Sequence, residues 1–403
     1  MNIIWGIGGI LVVLGIAFLL SSAKKSINYR TILGGLAIQI LFAFIVLKWE
    51  AGRAGLVWFS KRVQNVIGYA NEGISFLFGP AADVKNFGFV FAFQVLTVII
   101  FFSALISVLY YLGIMQILIR IIGGALSKLL GTSKAESISA AANIFVGQTE
   151  APLIIRPFIA KMTKSELFAV MTGGLASVAG SVLVGYALLG VPLEYLLAAS
   201  FMAAPAGLVL AKLMIPETEE IDDSEFELEK DQESVNVIDA AARGAGDGLK
   251  LALNVGAMLL AFIALIAMIN GILGGIGSFF GYGNLSLEMI LGYVFSPLAF
   301  AIGVPWAEAV TAGSYIGQKL VLNEFVAYSA FAPEIANLSP KTVIVVSFAL
   351  CGFANLSSMA ILLGGLGALA PNRRSDIAKL GLRAVAAGML ASLLSAAIAG
   401  MFI

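Results

Sequence analysis

Asn143 to Phe158 reads NIFVGQTEAPLIIRPF. Within sixteen residues it holds two carboxamides, a hydroxyl, a carboxylate, two prolines and an arginine, and its flanks are as apolar as a membrane span. The chain of 403 residues is 60% hydrophobic and 12% charged, against roughly 45–50% and about 25% in soluble domains. A polar run in that setting is costly, because a carboxylate at membrane depth costs about 2.5–3.5 kcal/mol on the lenient insertion scale. A zero formal net charge gives no basic face for nucleic acid. One cysteine and no histidine exclude an intrachain disulfide, Cys-rich metal sites and His-based catalysis.

Working outward, apolar runs of spanning length fall at roughly 3–20, 31–47, 88–112, 166–189, 192–214, 250–276, 342–370 and 380–402. The first has no basic start, so it reads as a retained span rather than a signal peptide. Lys24, Lys25 and Arg30, then Arg156, Lys161 and Lys164, then Arg373, Arg374, Lys379 and Arg383 fall in short loops on one side. The positive-inside rule makes that side cytoplasmic and puts both termini outside. Lys48, Arg53, Lys61 and Arg62 run against the rule, and they belong to an amphipathic stretch, 54–78, that reads as a helix lying at the outer interface. Pro216 to Ser234, PETEEIDDSEFELEKDQES, is too acidic to build a core and reads as a cytoplasmic linker between two halves.

The opening stretch belongs to a segment, 132–160, that enters the membrane but is interrupted at Gly147–Pro152. Residues 287–330 behave alike, interrupted first at Pro305 and then from Gly313 to Asn323-Glu324. Each is expected to be a re-entrant helical hairpin, whose irregular tip is tolerable only inside protein or beside water. Each is followed by a span with a soft centre, Thr172–Gly185 and then Cys351–Gly367. The same order therefore occurs twice, and the two copies enter from opposite faces, as in an inverted repeat whose interrupted helices mark a midplane binding site. Glycines such as GGLG at 364–367 can serve helix packing alone. The polar residues at the interruptions, Gln148, Thr149, Glu150, Asn323, Glu324, Asn355, Ser357 and Ser358, point to a ligand. Carboxylates accept from a vicinal diol, amides match a heterocycle's edge, and Phe353 offers a ring face. With Lys319 the only cation near the tips, an uncharged ligand is favoured over a polyphosphate. A hydrolase would need a nucleophile with its base, and a channel would need a continuous polar face; neither pattern is present.

GQKLVLNEFVAY, Gly317 to Tyr328, fits the pattern G-x-K-x-x-x-N-E-F-V-A-Y of concentrative nucleoside transporters. The opening stretch resembles the first hairpin of that family, and FALCGFANLSSMAILLGGLG, Phe348 to Gly367, resembles its late broken helix. The likeness covers nearly the whole chain and is greatest to the short bacterial sodium-coupled members. It implies an all-α polytopic membrane protein of eight transmembrane helices, two re-entrant hairpins and an interfacial helix, working as a homotrimer among membrane lipid in the bacterial inner membrane. A scaffold would hold the trimer, and a mobile transport domain would slide as an elevator. By residue, 1–112 and 248–285 would be mainly scaffold, 113–215 and 286–403 the two transport repeats, and 216–247 the acidic linker.

The resemblance also implies site roles. Gln148, Thr149 and Glu150 would contact the nucleobase, with Val182 and Phe353 beside it. Glu324, Asn355 and Ser358 would hold the ribose. Na⁺, the coupling ion, would lie against Asn143, Val146, Ser177 and Val178. No organic cofactor and no catalytic residue are expected. Glu150 and Glu324 leave proton coupling open as the alternative. Cys351 reads as a buried small hydrophobe, and Arg156 as a basic anchor at the cytoplasmic base of the first hairpin.

Overall fold

The computed structural model describes residues 2–84, 88–221, 234–281 and 283–403. Among them the chain is helical, and seven helices are long and apolar enough to cross a membrane. The N-terminal third contains α1 (Asn2–Leu19), α2 (Tyr29–Ala43, prolonged as a wider turn to Lys48), α3 (Glu50–Phe78) and α4 (Thr97–Tyr111). The stretch expected to lie at the interface is α3, whose residues are mostly exposed. A further amphipathic helix, α5 (Ile114–Leu130), ends at Gly131 in the left-handed conformation. The sequence reading left it unassigned.

The first hairpin climbs as α6 (Lys134–Ala142), turns over residues 143–150 and returns as α7 (Ala151–Ile154) and α8 (Arg156–Ile159). A capping box, Ser133 with Glu136, starts α6 by satisfying amides that have no helical partner. Pro152 sits in the first turn of α7, where its missing N–H costs nothing. A second capping box, Thr163 with Glu166, starts α9 (Lys164–Ala176). After a break at Ser177–Ala179 the span resumes as α10 (Gly180–Leu188), and α11 (Leu193–Met214) follows.

The second half mirrors this order. The long helix α12 (Val237–Phe279) leads to α13 (Leu287–Ala301). The second hairpin is α14 (Trp306–Val321) and α15 (Glu324–Phe331), with Asn323 capping α15 by accepting from the Val326 amide. The expected 342–370 span is two shorter helices, α16 (Pro340–Leu350) and α17 (Ser358–Leu369), and α18 (Arg374–Ala399) closes the chain. Three boundaries differ from the sequence reading. The second hairpin starts at Trp306 and not at residue 287, because α13 is a helix of its own that ends before Pro305. The long helix starts at Val237, well before residue 250, because its first turns are too polar to register as a span. Gly313 does not interrupt anything: α14 runs through it and meets α13 across a 116° bend. A Cβ on Gly313 would lie 2.7 Å from the Gly292 carbonyl oxygen, so this glycine allows two helices to touch.

Burial sorts the helices into two groups. The spans Lys164–Leu189 and Leu193–Met214 are 94% and 89% buried, whereas Val237–Phe279 and Ala92–Tyr111 are each 22% buried. The first group, with α16 and α18, is a packed core. The second packs on itself through small residues, with Gly244 and Gly248 of α12 against Ser107 and Ser103 of α4, the spacing that lets membrane helices approach closely. Its outer face keeps Leu253, Leu260 and Ile272 exposed.

At one end of the core, Lys212 pairs with Glu136 at 2.7 Å and donates to Ser165 Oγ at 2.9 Å. It also reaches Glu217 at 3.4 Å, and Glu217 accepts from Thr163 Oγ1 at 2.8 Å. The acidic segment thus leaves the core from a fixed point; its residues 222–233, part of the expected linker, lie outside the described residues.

Candidate functional site

The two broken spans cross at their breaks. The Phe353 amide donates to the Ser177 carbonyl at 3.0 Å. Gly352 is pressed against the Ala176 and Leu175 carbonyl oxygens, 2.9 and 3.2 Å from where a Cβ would stand. Each hairpin tip is tied to its own broken span in the same way. The Gly180 amide donates to the Phe145 carbonyl at 3.0 Å, and the Leu356 amide to the Leu320 carbonyl at 3.1 Å. Both tips and both breaks therefore form one unit.

Glu324 is buried at the start of α15. One carboxylate oxygen accepts from Tyr186 Oη at 3.1 Å and the other from Asn355 Nδ2 at 3.1 Å. Asn355 Oδ1 in turn accepts from the Ser358 amide at 2.9 Å, and Ser358 Oγ donates to the Phe353 carbonyl at 2.6 Å. The structure thus brings Glu324, Asn355 and Ser358 into one connected network, with Phe353 half-buried beside it. Each carboxylate oxygen keeps a lone pair for a further donor. The sequence reading missed Tyr186, which holds Glu324 from α10 and stacks on Tyr328 at 4.4 Å between ring centroids.

The tip of the first hairpin is divided. Thr149 and Glu150 are exposed to a cavity of about 790 Å³, lined also by Ala179, Ser181, Tyr110 and Asn254. That volume lies in the range of small-molecule sites. Gln148 instead turns inward onto Gly174, and its Oε1 has no hydrogen-bond partner. Val182 is buried on α10, and neither it nor the Glu324 network lines this cavity. One helix serves both clusters: α10 carries Ser181 to the cavity and Tyr186 to Glu324.

Asn143 is 1% exposed at the end of α6. Its Nδ2 donates to the Ser139 carbonyl at 2.9 Å, and its Oδ1 has no partner. Ser139 Oγ and Thr172 Oγ1, in the neighbouring turns of α6 and α9, also lack partners. Ser177 Oγ donates to the Gly173 carbonyl at 3.0 Å, which leaves its lone pairs free. Val146, in the tip, and Val178, at the break, are both buried, and Val146 also lines the cavity. Buried polar atoms without partners are rare, and a set of oxygen acceptors beside a freed helix end matches what a hard cation takes. Ser200 Oγ holds the tip from α11 by donating to the Ile144 carbonyl at 2.9 Å.

Three family models cover nearly all of the chain: Na⁺-dependent nucleoside transporter N-terminus (residues 8–81), nucleoside recognition (92–193) and Na⁺-dependent nucleoside transporter C-terminus (195–400). The chain is 66% identical over its full length, and that of its relative, to the uncharacterized transporter YutK of Bacillus subtilis. It is 51% identical to the nucleoside permease NupC of Helicobacter pylori, across 99% of this chain and 98% of that one. A structure of CNTnw in an inward-facing substrate-bound state superposes with a TM-score of 0.95 at 58% identity, covering 100% of this chain and 98% of that one. A CNTnw variant in an outward-facing state superposes at 0.97 and 58% identity, with the same coverage. Helical spans, paired interrupted segments and full-length matches agree: this chain is a membrane transporter of nucleosides, not an enzyme, and it belongs to the concentrative nucleoside transporter family.

Proposed function

We propose that this transporter imports nucleosides together with Na⁺ by moving its core as an elevator against the less buried scaffold. The observation that carries the ion is Asn143: a buried carboxamide oxygen without a partner, beside the free end of α9. Na⁺ there would draw the hairpin tip and the break at Ser177–Val178 together. Thr149 and Glu150 would then be ordered toward the base, with Gln148, Val182 and Phe353 around it. The ribose hydroxyls would donate to Glu324, with Asn355 and Ser358 completing the contact. The effect is reciprocal, since nucleoside must raise Na⁺ affinity by the factor by which Na⁺ raises nucleoside affinity. One net positive charge carried inward gains about 2.3 kcal/mol per 100 mV of membrane potential.

The cavity supports the elevator reading. It runs from the first hairpin tip, between that core element and the scaffold helices α4 and α12, to Ser234 and Arg243 at the linker end. With the linker in the cytoplasm and both termini outside, this arrangement is open inward. The exposed apolar face of α12 suits trimer contacts in the inner membrane. Proton coupling is the second reading, and it draws on Glu324, buried within the spanning region.

The deciding experiment is radiolabelled uridine uptake into proteoliposomes with Na⁺ and pH gradients imposed separately. Accumulation that follows the Na⁺ gradient and ignores a pH step is expected. Uptake that follows only the pH step would establish the proton reading instead.

A further inference from the structure

Lys319 has no part in the reading above, yet it is one of the largest fully buried side chains in the molecule, 0% exposed in the last turn of α14. No carboxylate pairs with it among the described residues. Its Nζ donates instead to the Ala349 carbonyl at 2.8 Å and to Ser392 Oγ at 3.0 Å. Ser392 Oγ lies 3.1 Å from the Cys351 carbonyl as its donor. A buried ammonium whose direct hydrogen-bond partners are neutral oxygens, with the Glu324 carboxylate acting on it only from beyond ion-pair distance, is an expensive arrangement inside a membrane, so its surroundings matter.

Ala349 lies in the last turn of α16, where carbonyls have no helical partner and the helix dipole presents its negative end. The paired amide-to-tip hydrogen bonds fix the correspondence between repeats: Phe145 matches Leu320, and Gly180 matches Leu356. Lys319 therefore corresponds to the residue just before Phe145. The end of α16 corresponds to the end of α9, where Gly173 and Gly174 pack against Asn143. In the first repeat, the partnerless Asn143 Oδ1 stands at the half-helix end, 3.8 Å from where a Cβ on Gly174 would be. In the second repeat, the corresponding end receives the Lys319 ammonium.

We propose that the Lys319 ammonium is a built-in cation that takes, in the second repeat, the place the coupling ion takes in the first. It satisfies the end of α16 permanently, holds the second tip and the second break together, and leaves one exchangeable ion site per subunit. Lys319 is thus a positioning residue for Glu324, five residues along the same hairpin, and for Asn355 beyond the break. The proposal rests on the ion reading of the first repeat.

Two measurements test it. In the unaltered protein, ²²Na⁺ and tritiated uridine taken up together should enter at about one to one, as a single mobile site requires. Near-zero Na⁺ per nucleoside overturns the ion reading of the first repeat. About two per nucleoside leaves that reading standing and overturns the role of Lys319. The second measurement uses Lys319→Ser, which removes the ammonium and leaves the Ala349, Ser392 and Cys351 oxygens in place. Its uptake should fall roughly tenfold at ordinary Na⁺ and recover at high Na⁺, with the Hill coefficient for Na⁺ rising from about 1 toward about 2. Lys319→Met, which fills the space without charge, should not recover at high Na⁺. Near-normal uptake by Lys319→Met, or an unchanged Hill coefficient in an active Lys319→Ser, overturns the proposal.

Discussion

Glu324 gathers the most hydrogen-bonding consequence into one side chain. Tyr186 and Asn355 each donate to one of its oxygens, so its orientation is set before any ligand arrives. Replacing it with Gln turns one acceptor into an NH₂ that faces a donor, and Glu324→Gln is expected to lose most uridine uptake. Near-normal transport in that variant would sink the ribose assignment. Tyr186→Phe deletes a hydrogen bond to a charged group, worth about 1.5–3 kcal/mol. It should raise the uridine concentration for half-maximal uptake by roughly tenfold or more, while expression stays normal. At the other tip, Asn143→Ala and Ser177→Ala should shift the Na⁺ dependence of uptake to higher concentration before they weaken transport at saturating Na⁺. A titration of Na⁺ at fixed uridine reads this directly. Tyr186 was not legible beforehand, because in SVLVGYALLG, Ser181 to Gly190, its ring has only apolar residues and glycine as near neighbours and reads as wall. Glu324 and Glu150 were legible because a carboxylate in such surroundings has no bland explanation.

Between elements, the crossing of the two broken spans is the tightest junction. Gly352 sits among Ser392 Oγ and the Leu175 and Ala176 carbonyls, all within 3.2 Å of a virtual Cβ. Gly352→Ala must push backbone aside, and overpacking of this kind costs about 1–3 kcal/mol. A lowered melting temperature in detergent and reduced uptake are expected, whereas Gly364→Ala, where nothing lies within 4 Å, should change neither. The same comparison explains what the sequence could and could not show about helix ends. The breaks at Ser177 and Cys351 were visible because small and polar residues interrupt long apolar runs. Gly313 looked like a third interruption, but a glycine on a helix face serves close packing as readily as a break, and only the neighbour tells the two apart. Helix α5 stayed unassigned because Gln116, Arg120, the Gly123-Gly124 pair and Lys128 interrupt its apolar run, so it reads neither as a span nor as a loop. The first three turns of α12 were lost for a related reason, since hydropathy reports apolar content and not helicity.

For the whole molecule, the contrast in burial between the packed core and the less buried helices was not legible in composition; a partition into two parts came only from the family resemblance. The less buried helices are somewhat the more apolar, but both groups are apolar enough to pass as spans, so finding spans by hydropathy does not by itself separate a helix buried by protein from one facing lipid. The twofold order of hairpin, broken span and span was legible because it recurs. The acidic segment was legible by composition alone, but its anchorage was not. Glu217 and Glu219 hold one end to the core, through Thr163 and the Lys164 amide. Val235 holds the other to the scaffold, through Tyr111 Oη at 3.3 Å.

That double anchorage makes the segment a leash. Fully extended, the chain from Glu219 to Val235 reaches about 53–58 Å, and under the proposed elevator no stroke of the core can separate its two anchors by more than this. Stepwise deletions within 222–233 should leave the uridine uptake rate unchanged until the remaining reach equals the anchor separation at the far end of the stroke. Beyond that length the rate should drop abruptly rather than in proportion. Under the proposed elevator, the deletion length at which it drops is a ruler for the stroke of the core, read from uptake alone.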